Sequence, residues 1–215
     1  MTKLFERIER KGENMKSTIF MIMLILINSI QGQSMNSEHK FETATFGAGC
    51  FWCVEAVFQE LKGVEKVVSG YSGGDTENPT YKEICSGTTN HAEVAQITFD
   101  PDIISFDELL EVFWKTHDPT TLNRQGADAG TQYRSVIFYH NPEQKEKAEH
   151  YKTKLNDSGA FDDPIITEIS PLSKFYSAED YHQDYYSQNK NQPYCAFTIT
   201  PKIEKLRKVF EDKLK

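Results

Sequence analysis

The stretch Thr43-Ala44-Thr45-Phe46-Gly47-Ala48-Gly49-Cys50-Phe51-Trp52-Cys53-Val54-Glu55-Ala56-Val57-Phe58-Gln59-Glu60-Leu61 decides how this chain folds. Thr43–Ala48 suits a short strand. Gly47-Ala48-Gly49 then lets the backbone turn tightly. From Cys50 to Leu61, the apolar residues Val54, Val57, Phe58 and Leu61 recur at helical spacing and share one face. A strand, a glycine turn and a helix thus follow one another without a gap, and Cys50 stands at the junction.

Working outward, Val64–Tyr71 reads as a second strand closed by Ser72-Gly73-Gly74, and a polar loop follows to about Thr80. Glu93–Phe99 is a third strand, ended by Asp100-Pro101. Ser105-Phe106-Asp107-Glu108 has the form of a capping box, in which the serine hydroxyl and the glutamate carboxylate satisfy free amides at a helix start. That helix runs to about His117 and stops before Asp118-Pro119. A glycine-punctuated loop, Thr120–Thr131, leads into strand Tyr133–His140, and Pro142 opens a charged helix to about Leu155. A strand near Ile165–Ile169, a short helix within Ala178–Ser187 and a tail, Pro193–Lys215, complete the chain. The central order is strand, helix, strand, strand, helix, strand. This predicts an α+β fold: a ferredoxin-like split βαβ core forming a two-layer α/β sandwich, with a long irregular C-terminal tail.

A length of 215 residues fits one domain with appended ends. Residues 1–33 read as a leader, 34–41 as a flexible lead-in, and 42–215 as the single domain. Ile19–Ile27 is a run of nine apolar residues, shorter than the ~20 a membrane-spanning helix needs. Lys16 precedes it and small polar residues follow. The pattern is that of a secretory signal peptide cleaved near Gly32, so the expectation is export to a periplasmic or extracellular space. An uncleaved membrane anchor, or a cytoplasmic chain, is the alternative.

The net charge is −8, although the leader carries five basic against three acidic residues. So acidic a body argues against a nucleic-acid partner, whose phosphates reward a basic face. The four cysteines, Cys50, Cys53, Cys85 and Cys195, are too few for a disulfide-stapled scaffold. Zinc would need a second ligand pair beside Cys50-x-x-Cys53, and none is spaced for it, so no metal is expected.

The position of Cys50 gives it chemistry. A helix N-terminus offers free N–H groups and about half a positive charge, which should lower the thiol pKa and favour the reactive thiolate. Phe51 and Trp52 follow at once, so the sulfur faces aromatic rings suited to a small, partly apolar substrate. If such a thiol is oxidised to sulfenic acid, a second thiol can resolve it to a disulfide. The competing reading is a buried, inert cysteine pair. Nothing local activates Cys85, and His91 and His182 read as structural residues.

Several separated runs resemble one known family, the peptide methionine sulfoxide reductases of class A. They are Gly47–Glu55, Val68–Gly74, Asn78–Tyr81, His91–Val94, Asp118–Asp128 and Gly130–Ser135. The similarity extends from about Phe41 to about Pro201. The resemblance implies that 42–215 is catalytic and reduces the S epimer of methionine sulfoxide, free or in oxidised proteins. It implies that Cys50 attacks the sulfoxide sulfur and Glu93 protonates its oxygen. Tyr81 and Tyr133 would donate hydrogen bonds to that oxygen, Asp128 would orient substrate or water, and Phe51 and Trp52 would hold the substrate methyl. It implies that Cys195 resolves the oxidised Cys50, with Cys53 as the alternative thiol, and that a thioredoxin-like partner restores the dithiol. No cofactor is implied, and a monomer is expected. In Gln192-Pro193-Tyr194-Cys195 a proline replaces the family's glycine.

Two other functions stay in view. A thiol–disulfide oxidoreductase would use Cys50 and Cys53 directly but would leave Glu93, Tyr81, Tyr133 and Asp128 without work. An exported binding module would grip oxidised or Met-rich peptides without turning them over.

Overall fold

Phe46, fully buried at the middle of the first strand, shows where the core lies. Its ring is 5.5 Å from Phe58, 5.9 Å from Phe106 and 5.1 Å from Phe113. Phe58 belongs to the helix after Cys50; Phe106 and Phe113 belong to the capping-box helix. Both helices therefore pack on the same face of the sheet, as the split βαβ reading requires. The computed structural model describes residues 40–215, which form one compact unit. The leader, its cleavage site and all of the lead-in up to residue 39 lie outside the described residues.

Four strands carry the central sheet: β1 (Glu42–Ala48), β2 (Val64–Ser72), β3 (Ala92–Phe99) and β4 (Ser135–Tyr139). Helix α1 (Phe51–Gln59) joins β1 to β2, and α2 (Tyr81–Cys85) lies between β2 and β3. Helix α3 (Phe106–Thr116) follows β3. Helix α4 (Pro142–Ser158) carries the chain from β4 to β5 (Glu168–Pro171), and β6 is Phe175–Ser177. The spatial order is β5-β4-β1-β3-β2-β6. The inner four strands are mutually antiparallel: Thr45 pairs with both Gln96 and Phe138, and Tyr71 pairs with Glu93. This is the split βαβ arrangement. The β4–β5 pair is parallel, since a helical crossover returns the chain in the same direction.

Both faces of the sheet are apolar near its centre. A smaller cluster of Ala92, Val94, Val136 and Phe138 packs with Leu172 and Phe175, away from the main core.

The helix ends follow local chemistry. Ser105 Oγ accepts from Glu108 N at 3.3 Å, and Glu108 Oε2 accepts from Ser105 N at 2.9 Å, so the capping box forms as read. Pro142 opens α4 with Asn141 as its cap, and Gly159 closes it at a φ of 63°.

Three local readings change. Helix α2 falls where a loop was expected to give way directly to the third strand. Its signal, Thr80-Tyr81-Lys82-Glu83, has the same form as the box at Ser105: Glu83 Oε2 accepts from Thr80 N at 2.8 Å. The strand expected near Ile165–Ile169 begins later, at Glu168. The tail is irregular only in part. Ahead of it, the short helix read within Ala178–Ser187 is present as a turn, Asp180–His182, and α5 (Tyr185–Gln188). The tail itself winds through a π-turn, Cys195–Ile199, into α6 (Thr200–Val209). Ile199, Ile203 and Leu206 are buried against the core, so apolar packing orders a segment whose charged residues hid its periodicity.

Gly49 is the residue the junction between β1 and α1 cannot exchange. Its φ is +90°, and a Cβ there would come within 2.6 Å of Gln125 Cβ. Gly49→Ala combines a strained backbone with a clash. It is expected to lose about 2–4 kcal/mol of stability in urea melts. A loss below about 0.5 kcal/mol would show that the turn is not constrained in this way.

Candidate active site

The strand–turn–helix junction places Cys50 as the residue that caps α1. It is buried, as is Cys53 one turn on. Each thiol shifts the acidity of the other. Tyr194, from the tail, brings its hydroxyl to 3.8 Å from Cys53 Sγ and donates to Asp128 Oδ2 at 2.7 Å. Asp128 sits in a two-residue ladder in which Gln125 pairs with Asp128. The loop that carries Asp128 is the one that packs on Gly49.

Glu93 comes from β3, two strands away from α1 in sequence but next to β1 in the sheet. It is 1% exposed, and its Oε2 accepts the amide of Phe51 at 3.0 Å. The carboxyl therefore takes the first free amide of the helix that carries Cys50. Burial pushes Glu93 up to about 8, with Asp128 and Cys53 adding to it, while the Phe51 amide pulls the other way. At neutral pH this carboxyl carries a proton, as a general acid requires.

The thiol of Cys50 departs from the sequence expectation. Burial raises it well above the usual range, and the bond to Cys53 and the charge of Glu93 raise it further; the Tyr194 hydroxyl opposes them. The helix terminus does not win: its first amide, Phe51 N, donates to Glu93, and Cys50 makes no capping hydrogen bond. Cys53 shifts the opposite way, pulled down chiefly by the hydrogen bond from Cys50, against its own burial, with help from the Lys202 ammonium. The pair therefore shares its charge, and Cys50 is held as a thiol.

Aromatic rings wall the site. Phe51 is 1% exposed, and its ring is 5.8 Å from Tyr71 and 6.1 Å from Trp52. Trp52 stacks on Tyr185 at 3.7 Å with planes 7° apart. Tyr81 opens α2 and Tyr133 ends the turn Thr131–Tyr133. Both are half-buried, and each phenol is raised first by burial; Cys85 then raises Tyr81, and the charge of Glu93 raises both. Both hydroxyls thus stay protonated donors.

Glu93 meets the Cys50–Cys53 turn directly through Phe51, Asp128 reaches it through Tyr194, and Tyr81 and Tyr133 lie within electrostatic reach of Glu93. Cys195 is fully buried at the start of the π-turn, directly after Tyr194. Cys85 is exposed, and His91 is structural: its Nδ1 accepts from Gly74 N at 3.1 Å and its Nε2 donates to Thr76 O at 2.7 Å. Tyr194 and Tyr185 escape the sequence reading because they lie in a segment without apolar periodicity. The adjacency of Tyr194 to Cys195 is the one signal that marked it.

Fold and site together define a thiol-based oxidoreductase with a protonated carboxyl beside its cysteine pair. The family model described as Peptide methionine sulfoxide reductase matches residues 42–214, and the chain belongs to that family. A peptide methionine sulfoxide reductase MsrA from Haloquadratum walsbyi (strain DSM 16790 / HBSQ001) is 59% identical over 173 residues, spanning 80% of this chain and 98% of the relative. One from Acinetobacter baumannii (strain AYE) is 57% identical over 174 residues, spanning 81% and 99%. Among solved structures, reduced Mxr1 from Saccharomyces cerevisiae superposes with a TM-score of 0.68 at 34% identity, covering 73% of this chain and 90% of that one. Methionine sulfoxide reductase A of Corynebacterium diphtheriae gives 0.63 at 43% identity, covering 69% and 75%.

Proposed function

We propose that this protein reduces the S epimer of methionine sulfoxide, free or in oxidised proteins, to methionine. The observation that carries this is the buried Glu93 carboxyl held against the Phe51 amide beside Cys50. A sulfoxide sulfur is electrophilic, but its oxygen leaves only when protonated. Cys50 attacks the sulfur as Glu93 gives its proton to the oxygen, and the proton lost from the Cys50 thiol restores the carboxyl. The oxygen ends on Cys50 as sulfenic acid, two electrons pass from the thiol, and methionine leaves. Tyr81 and Tyr133 donate hydrogen bonds to the oxygen, Asp128 holds Tyr194 over the thiol pair, and Phe51 and Trp52 seat the methyl. A plain thiol–disulfide exchange would need none of these groups.

The second half-reaction uses another thiol. Cys53 sits one turn along α1 from Cys50, its amide donating to Cys50 O at 3.0 Å, whereas Cys195 is enclosed in the π-turn. Cys53 therefore attacks the sulfenic acid first, releasing water and forming a Cys50–Cys53 disulfide, and Cys195 then takes over the bond to Cys50 or Cys53. A thioredoxin-like dithiol partner reduces the product. Quenching after one turnover and mapping the disulfide tests the order. A Cys50–Cys53 bond is expected, and Cys53→Ser should slow the appearance of any disulfide by at least about tenfold. A first bond between Cys50 and Cys195 would overturn this order.

Incubating the reduced protein with the S epimer tests the activity itself. Methionine in stoichiometric amount is expected, and binding without product would contradict the proposal. Among the described residues no helix is long and apolar enough to cross a membrane. The leader, read from sequence, supports export with cleavage near Gly32, and N-terminal sequencing of the mature protein would decide it.

A further inference from the structure

The ring of His182 occupies the centre of the aromatic wall without belonging to the chemistry. It is 2% exposed. Its ring centroid is 5.0 Å from Phe51, 5.6 Å from Trp52, 4.3 Å from Tyr81 and 4.2 Å from Tyr181. These neighbours include both residues that seat the substrate methyl and one that binds its oxygen.

One hydrogen bond fixes the state of the ring. Trp52 Nε1 lies 3.2 Å from His182 Nδ1. An indole N–H only donates, so Nδ1 must present a lone pair and the ring proton resides on Nε2. That Nε2 is buried and has no hydrogen-bond partner among the described residues. Glu179 Oε2 is 4.0 Å away, beyond hydrogen-bond reach. Glu179 is already committed: its Oε2 accepts from Tyr71 OH at 2.9 Å and its Oε1 from Tyr81 N at 2.9 Å. A buried donor left unsatisfied costs folding free energy, and such groups are kept where a site needs the arrangement. Here the arrangement aims the opposite nitrogen at Trp52.

The other side of the indole is held as firmly. Tyr185 stacks on it, and Tyr185 follows Asp184, whose φ is 51° and whose amide donates to the buried carboxylate of Glu55 at 3.0 Å. Gln183, between the two ring contacts, ties the segment to β2 through Ser69 N at 3.0 Å and Ser69 O at 3.0 Å. The segment Glu179–Tyr185 is thus anchored to the sheet at both ends, and His182 is its contact with the indole edge.

We infer that His182 is a positioning residue for sulfoxide reduction: by accepting the Trp52 indole proton it locks the ring that seats the substrate methyl at a fixed spacing from Tyr81. This inference rests on the proposed reaction. It predicts that losing the acceptor weakens ground-state seating more than it slows chemistry, since the sulfur and its acid are untouched. His182→Phe keeps ring packing and removes the acceptor. His182→Gln keeps an acceptor without the ring.

The test measures kcat and KM with S-methionine sulfoxide, together with tryptophan emission. The chain has two tryptophans, and Trp114 is in α3, so a change in emission on altering His182 reports Trp52. In His182→Phe, KM is expected to rise about tenfold with kcat within about twofold, and emission to shift. His182→Gln should fall between it and the unaltered protein. In a Trp52→Phe background, which removes the donor, His182→Phe should change KM by less than about twofold, closing a double-mutant cycle. An unchanged KM in folded His182→Phe, or equal effects in both backgrounds, overturns the inference. If His182→Phe fails to fold, His182→Leu, which likewise removes the acceptor, gives the same decision in the two backgrounds. Absence of turnover in the unaltered protein would instead refute the reaction itself.

Discussion

Replacing Cys50 with serine is expected to abolish methionine formation, by about 10⁴-fold or more in single turnover. Serine is nearly isosteric, and the site is buried, so the fold should survive. The hydroxyl cannot supply two electrons to a sulfoxide or carry its oxygen as sulfenic acid. The loss is chemical, so no increase in substrate concentration restores it. Cys53→Ser differs in kind, since the first methionine should still appear. Folded Cys50→Ser protein that produced methionine at more than a few per cent of the normal rate would remove Cys50 from the reaction.

Glu93→Gln should lower the single-turnover rate by about 10²–10⁴-fold while changing substrate affinity only a few-fold. The amide oxygen can still accept from Phe51, so the junction keeps its shape. What is lost is a proton that matters mainly in the transition state. The pH profile separates this from a packing defect. With its carboxyl at about 8, Glu93 is the acid form below that value and loses the proton above it. The rate in the unaltered protein should therefore fall as pH rises through about 8, and Glu93→Gln should lack that limb. Stability follows the same sign. The folded state keeps this proton to about 8 while the unfolded chain releases it near the ordinary value of 4.5. Stability contributed by the protonated form is therefore full below about 4.5, declines with rising pH through that window, and is gone above about 8. Glu93→Gln should flatten this dependence in melts between those limits. An unaltered profile would mean another group supplies the proton.

The sequence made the junction legible because three independent signals coincide there: alternation in Thr43–Ala48, glycines at 47 and 49, and helical spacing from Val54 to Leu61. The same holds for Ser105 and Pro142, where caps announce helices. The short helix at Tyr81 was missed although Thr80 and Glu83 form the same box, because only five residues follow the cap and no apolar period can register. Helix α6 was missed because its buried residues are spaced among lysines and arginines. The residues gathered around Cys50 were legible in sequence, but their electrostatics were not. Position at a helix start argued for a lowered Cys50 pKa. Burial and Glu93 reverse it, and neither depends on local sequence: Glu93 reaches the helix only because β3 lies beside β1. Likewise Tyr194 and His182 meet α1 across more than a hundred residues, a proximity that local spacing does not encode.

The most direct test uses reduced protein carrying Cys53→Ser and Cys195→Ser, which leaves Cys50 without a resolving thiol. It is mixed with each epimer of methionine sulfoxide, with no external reductant, and a sulfenic-acid-specific nucleophile is added to mark the product. The account predicts one methionine per protein from the S epimer, none from the R epimer, and the mark on Cys50. Methionine without a mark on Cys50, or no methionine from the S epimer by a folded protein, would contradict it.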